Sequence, residues 1–180
     1  MLRTLLRGAV LAGALVATQA LPVLAAAPRQ LYNKTIQINW TTGVAQTGPD
    51  GQTRNVSVAV SRTVYVSTAG RIFERASRST RRGSKTSENA PGTTRNAGGE
   101  ATALHFEGNR LVGNLAFAQG GRRFVATFDP GFSSCTVAVQ YGREAGGIKR
   151  KGVDGVMYTI HSMTTSGESC SIREGNPFGN

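Results

Sequence analysis

Acidic residues are scarce in this sequence: ten Asp and Glu stand against twenty-one Lys and Arg in 180 residues, a formal charge of +11. That shortage argues against an acidic, self-repelling chain, and a hydrophobic share of 39% is enough to fill one core. Aromatics are also few, at 7% with a single Trp. Without rings interleaved among the charges, stacking platforms for bases are missing, so specific nucleic-acid recognition is not expected and any contact should be salt-sensitive and blind to sequence. Helical spacing of apolar residues is missing too, and 23 Gly would weaken helix interiors. Motifs of catalysis are equally thin. There is no Gly-rich phosphate loop ending in Lys-Ser/Thr, and neither Ser133-Ser134 nor Ser169 sits in a nucleophile elbow. We therefore assign no catalytic residue, metal or cofactor, and expect a protein that is not an enzyme.

Long apolar runs are limited to the N-terminus. Arg3 and Arg7 precede an alanine-rich apolar stretch from Gly8 to Ala27, and Val23-Leu24-Ala25 offers the small side chains that a signal peptidase reads. This predicts a secretory signal over 1–25, cleaved after Ala25. A retained anchor is the competing reading, since the stretch approaches the roughly 20 residues that span a bilayer. Pro22 and the small residues weigh against it, and no second apolar run follows, so no membrane span is expected once the signal is removed. No twin-arginine pair stands near the start, and the signal's style is bacterial. The expected location is the periplasm or the medium.

Cysteine is limited to Cys135 and Cys170. An even pair in an exported chain predicts a disulfide, and closing the thirty-four intervening residues is worth about 3 to 4 kcal/mol in the chain-entropy picture. A reactive thiol is the alternative. No Cys-x-x-Cys is present, and the alternation in Cys135-Thr136-Val137-Ala138-Val139 puts Cys135 on an apolar strand face.

What the mature chain does have is period-two alternation. Ile36, Ile38 and Trp40 share a face, as do Val56, Val58 and Val60, then Val64 and Val66. Leu104 and Phe106, Leu111, Leu115 and Phe117, Phe124 and Phe128, Val137 and Val139, and Val156, Tyr158 and Ile160 continue the pattern. Pro49-Asp50-Gly51, Ala69-Gly70, Glu107-Gly108-Asn109-Arg110 and Gln119-Gly120-Gly121-Arg122 read as tight turns, and Asp129 before Pro130-Gly131 as another. The expected fold is all-β: an antiparallel meander of about eight or nine short strands, as a sandwich or an up-and-down barrel, in one domain over 26–180. Two segments look irregular. Residues 76–100 hold no large apolar side chain and read as a flexible basic loop, and 174–180 as a frayed tail.

Positive charge is the best lead to function. Arg71, Arg75, Arg78, Arg81, Arg82, Lys85 and Arg95 crowd one stretch, and Lys149, Arg150 and Lys151 form a second cluster near Arg143. Arginine forks suit phosphate, sulfate and carboxylate. The expected partners are anionic polysaccharide, lipopolysaccharide or an acidic protein; the competing reading is a solvated surface. Three further side chains, His105, Glu107 and His161, could meet only if the sheet closes, and the first two already share a strand face. Trp40, Phe106, Phe117, Phe128 and Tyr158 would fill a core or line a cavity, which makes a small-ligand-binding β-barrel carrier the second functional expectation.

Overall fold

Side chains that alternate between apolar and polar produce two faces on each strand, and the long strands of this chain are organised by that difference. The structure, a computed structural model, describes residues 26–89, 104–114, 123–140 and 147–179. Ten strands are described: β1 (Lys34–Thr47), β2 (Thr53–Val66), β3 (Ile72–Thr80), β4 (Gly83–Asn89), β5 (Leu104–Glu107), β6 (Arg110–Asn114), β7 (Arg123–Phe128), β8 (Cys135–Gln140), β9 (Ile148–Lys151) and β10 (Met157–Glu174). All pairings among them are antiparallel, in a six-stranded sheet ordered β4-β3-β2-β1-β10-β9 and a four-stranded sheet ordered β5-β6-β7-β8. The expected all-β meander is present. Its strands are longer than expected, since β1 and β2 have 14 residues each and β10 has 18.

The core lies between the two sheets. Ile36, Ile38, Trp40, Val60, Val64 and Val66 of the large sheet pack with Phe106, Leu111, Phe124, Ala126 and Phe128 of the small one. Gly113 makes room for the Phe124 ring, which any Cβ at that position would strike. Cys135 on β8 is bonded to Cys170 on β10, with 5.5 Å between their Cα atoms, so the expected disulfide ties the sheets together. Cys135, Val137 and Val139 do share the core-facing side, as their alternation indicates. Asp129 shapes the turn between β7 and β8. Its carboxylate accepts hydrogen bonds from the backbone N–H of Ser133 and of Ser134, each at 2.7 Å, and from the Ser133 hydroxyl at 2.9 Å.

Residues 76–89 are not a loop. They form the second half of β3, a turn at Arg81-Arg82, and β4, with Arg78 opposite Lys85 across the hairpin. Backbone pairing to β2 orders this segment without large apolar side chains, because a ladder of hydrogen bonds needs only a neighbouring strand edge. The remainder of the expected loop, 90–100, lies outside the described residues, as do the signal at 1–25, Leu115, Phe117, the 119–122 turn and Arg143. Neither is the tail loose over its described part. Glu174 ends β10, Gly175 donates to the Asn33 carbonyl at 2.7 Å, and the Phe178 ring rests 6.5 Å from Tyr65 with the Arg75 guanidinium 4.9 Å from its centre.

Two bulges bend the large sheet. The register of β1 against β10 slips between Asn39 and Thr41, where β10 carries an extra residue around Gly167 (φ 66°), and again between Ala45 and Gln46, where His161 is the extra residue. A bulge adds twist and resets which residues face inward. Met163, between the slips, and Ile160 and Tyr158, beyond the second, join the face that carries Val44 and Val58.

Candidate functional site

The curl of the six-stranded sheet brings its two edges toward each other over a part of its inner face on which no described residue of the small sheet packs. There Val44, Tyr158 and Ile160 are buried and pack with Val58 and Met163, separate from the main core. Above this apolar floor is a cavity of about 110 Å³. Its rim is basic: Arg78, Arg82 and Lys85 come from the β3–β4 hairpin, and Arg150 and Lys151 from β9.

Register explains how one face changes character. Trp40, Val60, Arg78 and Lys85 are successive cross-strand partners on β1, β2, β3 and β4, so a single row runs from a buried indole to two cations at the sheet edge. On the opposite edge, Tyr158 pairs with Arg150. The charges therefore stand on the same face as the apolar floor.

A polar latch joins the two edges, which are not paired as strands. Arg82 donates to the Tyr158 hydroxyl at 2.9 Å and lies 3.6 Å from the Asp154 carboxylate, while the Tyr158 hydroxyl donates to Asp154 at 2.7 Å. The hydrogen bond from Tyr158, then the backbone N–H of Val156 and Arg82, hold the Asp154 carboxyl below its usual range. Tyr158 is raised above its ordinary value, first by that same bond to Asp154 and then by burial. At neutral pH Asp154 is thus ionised and Tyr158 protonated, an arrangement that holds shape and does not move protons. Gly152 leaves space for the ring, since a Cβ there would come within 2.9 Å of Tyr158 Cε2.

The ten basic residues singled out from sequence divide into groups. Arg78, Arg82, Lys85, Arg150 and Lys151 converge on the cavity. Arg71 and Arg75 turn elsewhere and lie over the rings of Phe73 and Phe178, at 5.5 and 4.9 Å. Arg81 and Lys149 are exposed and do not line the cavity, and Arg95 lies outside the described residues. His105 meets Glu107 at 3.0 Å on β5, but His161 belongs to the other sheet and meets the Thr47 hydroxyl at 2.6 Å. No group of three or more His, Cys, Asp or Glu able to hold a metal occurs among the described residues. No helix among them is long and apolar enough to cross a membrane.

Sequence reasoning missed Asp154 and the floor residues Val44 and Met163. Asp154 had a readable signal, a lone acid inside a basic cluster, and Val44 keeps the parity of Ile36, Ile38 and Trp40 along β1; Met163 had none, because its inward position depends on the bulges in β10. Compared with known proteins, the chain matches no protein-family model, no curated protein and no solved structure.

Proposed function

We propose that the protein is an exported, non-enzymatic binding module whose groove takes an amphiphilic anion: a phosphate, sulfate or carboxylate group joined to an apolar arm. The observation that carries this reading is the convergence of five cations, from hairpins some seventy residues apart in sequence, around a floor of aliphatic side chains. Cations alone would serve any polyanion, and an apolar floor alone would serve any hydrophobe. Together they favour a ligand with both parts, the acidic group at the Arg78, Lys85 and Arg150 rim and the arm toward Val44, Ile160 and Met163. Export is supported by the basic, then apolar, 1–25 segment and by a disulfide, which persists in oxidising compartments.

Such an anion can be a free small molecule or the acidic unit of a longer surface molecule, such as lipopolysaccharide or an acidic polysaccharide. Native mass spectrometry of protein recovered from its own compartment separates the sources, because only a free ligand travels with the protein. Calorimetric titration with inorganic phosphate and hexyl phosphate tests the chemistry. Burying two methylenes favours hexyl phosphate by about ten-fold, with both affinities falling at high salt. Equal affinity for the two phosphates, or no binding of either at low salt, refutes the reading.

A further inference from the structure

Among the described residues only two large apolar side chains are exposed, and they are neighbours: Val156 at 37% and Met157 at 51%. They stand at the turn between β9 and β10, held by bonds from Gly152 to the Val156 carbonyl and from Val156 to the Asp154 carboxylate. Met157 pairs directly with Lys151, and Thr159 with Lys149, so Met157, Lys151 and Lys149 alternate with Tyr158 and Arg150 along the hairpin, and the Lys151 side chain stands at the cavity rim where the two faces meet. Lysines on an edge strand are commonly a guard against strand addition, and β9 is an edge. That role explains Lys149 and Lys151. It does not explain an exposed methionine and valine at the tip, which raise the cost of leaving the hairpin in water.

We propose that the β9–β10 hairpin docks the protein on an anionic lipid surface. Val156 and Met157 enter the headgroup region, and Lys149 and Lys151 meet the lipid phosphates. A lipid surface supplies the two things this tip presents a use for, an apolar layer and a layer of negative charge, within a few ångströms of each other. An acidic polysaccharide or nucleic acid supplies only the second. The inference goes beyond the groove reading and stands without it, although the same hairpin forms one wall of the groove through Arg150, Lys151, Gly152 and Asp154, so that Lys151 borders both. Docking by the tip sets that wall against the lipid.

The test is co-sedimentation of the chain recovered after export with vesicles of phosphatidylcholine alone and of phosphatidylcholine with an equal part of phosphatidylglycerol. Binding is expected only to the anionic vesicles. Lys149→Gln with Lys151→Gln should weaken it about thirty-fold at low salt, and Val156→Asp with Met157→Asp should weaken it at least about ten-fold. Both positions are exposed, so far-UV circular dichroism should be unchanged in the aspartate variant. Arg78→Gln, on the groove face, should keep vesicle binding. A Met157→Trp variant adds a direct readout: its emission should shift to the blue with anionic vesicles and stay put with dextran sulfate. Vesicle binding that survives both aspartates, or that occurs without a blue shift, overturns the proposal, as does equal binding to dextran sulfate and anionic vesicles.

Discussion

Along the inner face of the six-stranded sheet, the end carrying Ile36, Ile38, Val64 and Val66 and the end carrying Val44, Val58, Ile160 and Met163 are built from the same kinds of side chain. They meet different neighbours. The first end is covered by the small sheet and is fully dry, with Ile36, Ile38 and Val64 at 0% exposure. Among the described residues no strand of the small sheet packs on the second, which is ringed by cations. Within the covered end, opposite Ile38, Arg62 forms a buried ion pair with Glu74 at 2.7 Å, its guanidinium 5.9 Å from the Phe124 ring centre. The difference teaches that alternation decides only that a face is apolar. What lies over the face decides whether it becomes a core or a groove.

The strongest way to break this comparison is to remove bulk from each end. Phe124→Ala, in the covered end, should cost about 3 to 5 kcal/mol by urea denaturation, whereas Met163→Ala, in the half-buried floor, should cost about 1 kcal/mol. Similar losses at both sites would show the open end to be as tightly packed as the closed one. Next in size is the staple. Replacing Cys135 and Cys170 together by Ser should lower stability by about 3 kcal/mol, while hexyl phosphate binding persists at temperatures where the protein stays folded, because both sulfurs are in the covered end.

A smaller effect is expected at the latch. Tyr158→Phe removes two hydrogen bonds and should cost about 1 kcal/mol in stability, together with a measurable loss of ligand affinity as Arg82 is released. The smallest is acidic. The backbone N–H of Ser134, then the Ser133 hydroxyl, depress the Asp129 carboxyl from 3.8 to about 2. A lowered folded-state value contributes stability that is complete above the unfolded value and lost as pH falls through the folded one. The melting temperature should therefore drop between about pH 4 and pH 2, and Asp129→Asn should flatten that part of the profile.

Much of the covered end was readable in advance. Strict alternation marked Ile36 to Trp40 and Val137 to Val139, and two cysteines left one pairing. The open end was not, for two physical reasons. β3 and β4 are held over 76–89 by backbone pairing and polar side chains, so a search for apolar side chains passes over them. β10 carries two extra residues that change the parity of its inward positions, so its pattern does not repeat over its length. Val156 departs for a separate reason: alternation groups it with Tyr158 and Ile160, yet it lies before the strand and is exposed. Both charge clusters were visible as clusters. Their meeting depends on the curl of a sheet whose two edges are β4 and β9, and no local pattern carries that information.

The pairing of β1 with β10 sets a timetable. Lys34 at the start of β1 lies opposite Glu174 at the end of β10, a separation of 140 residues along the chain. The centre of the large sheet cannot assemble until β10 has left the ribosome, and Cys170 emerges within that same strand. Contacts this distant in sequence form slowly. A nascent chain of this design keeps the centre of its large sheet open until β10 has been made, so on the export we propose its sheet and its disulfide are both completed after passage.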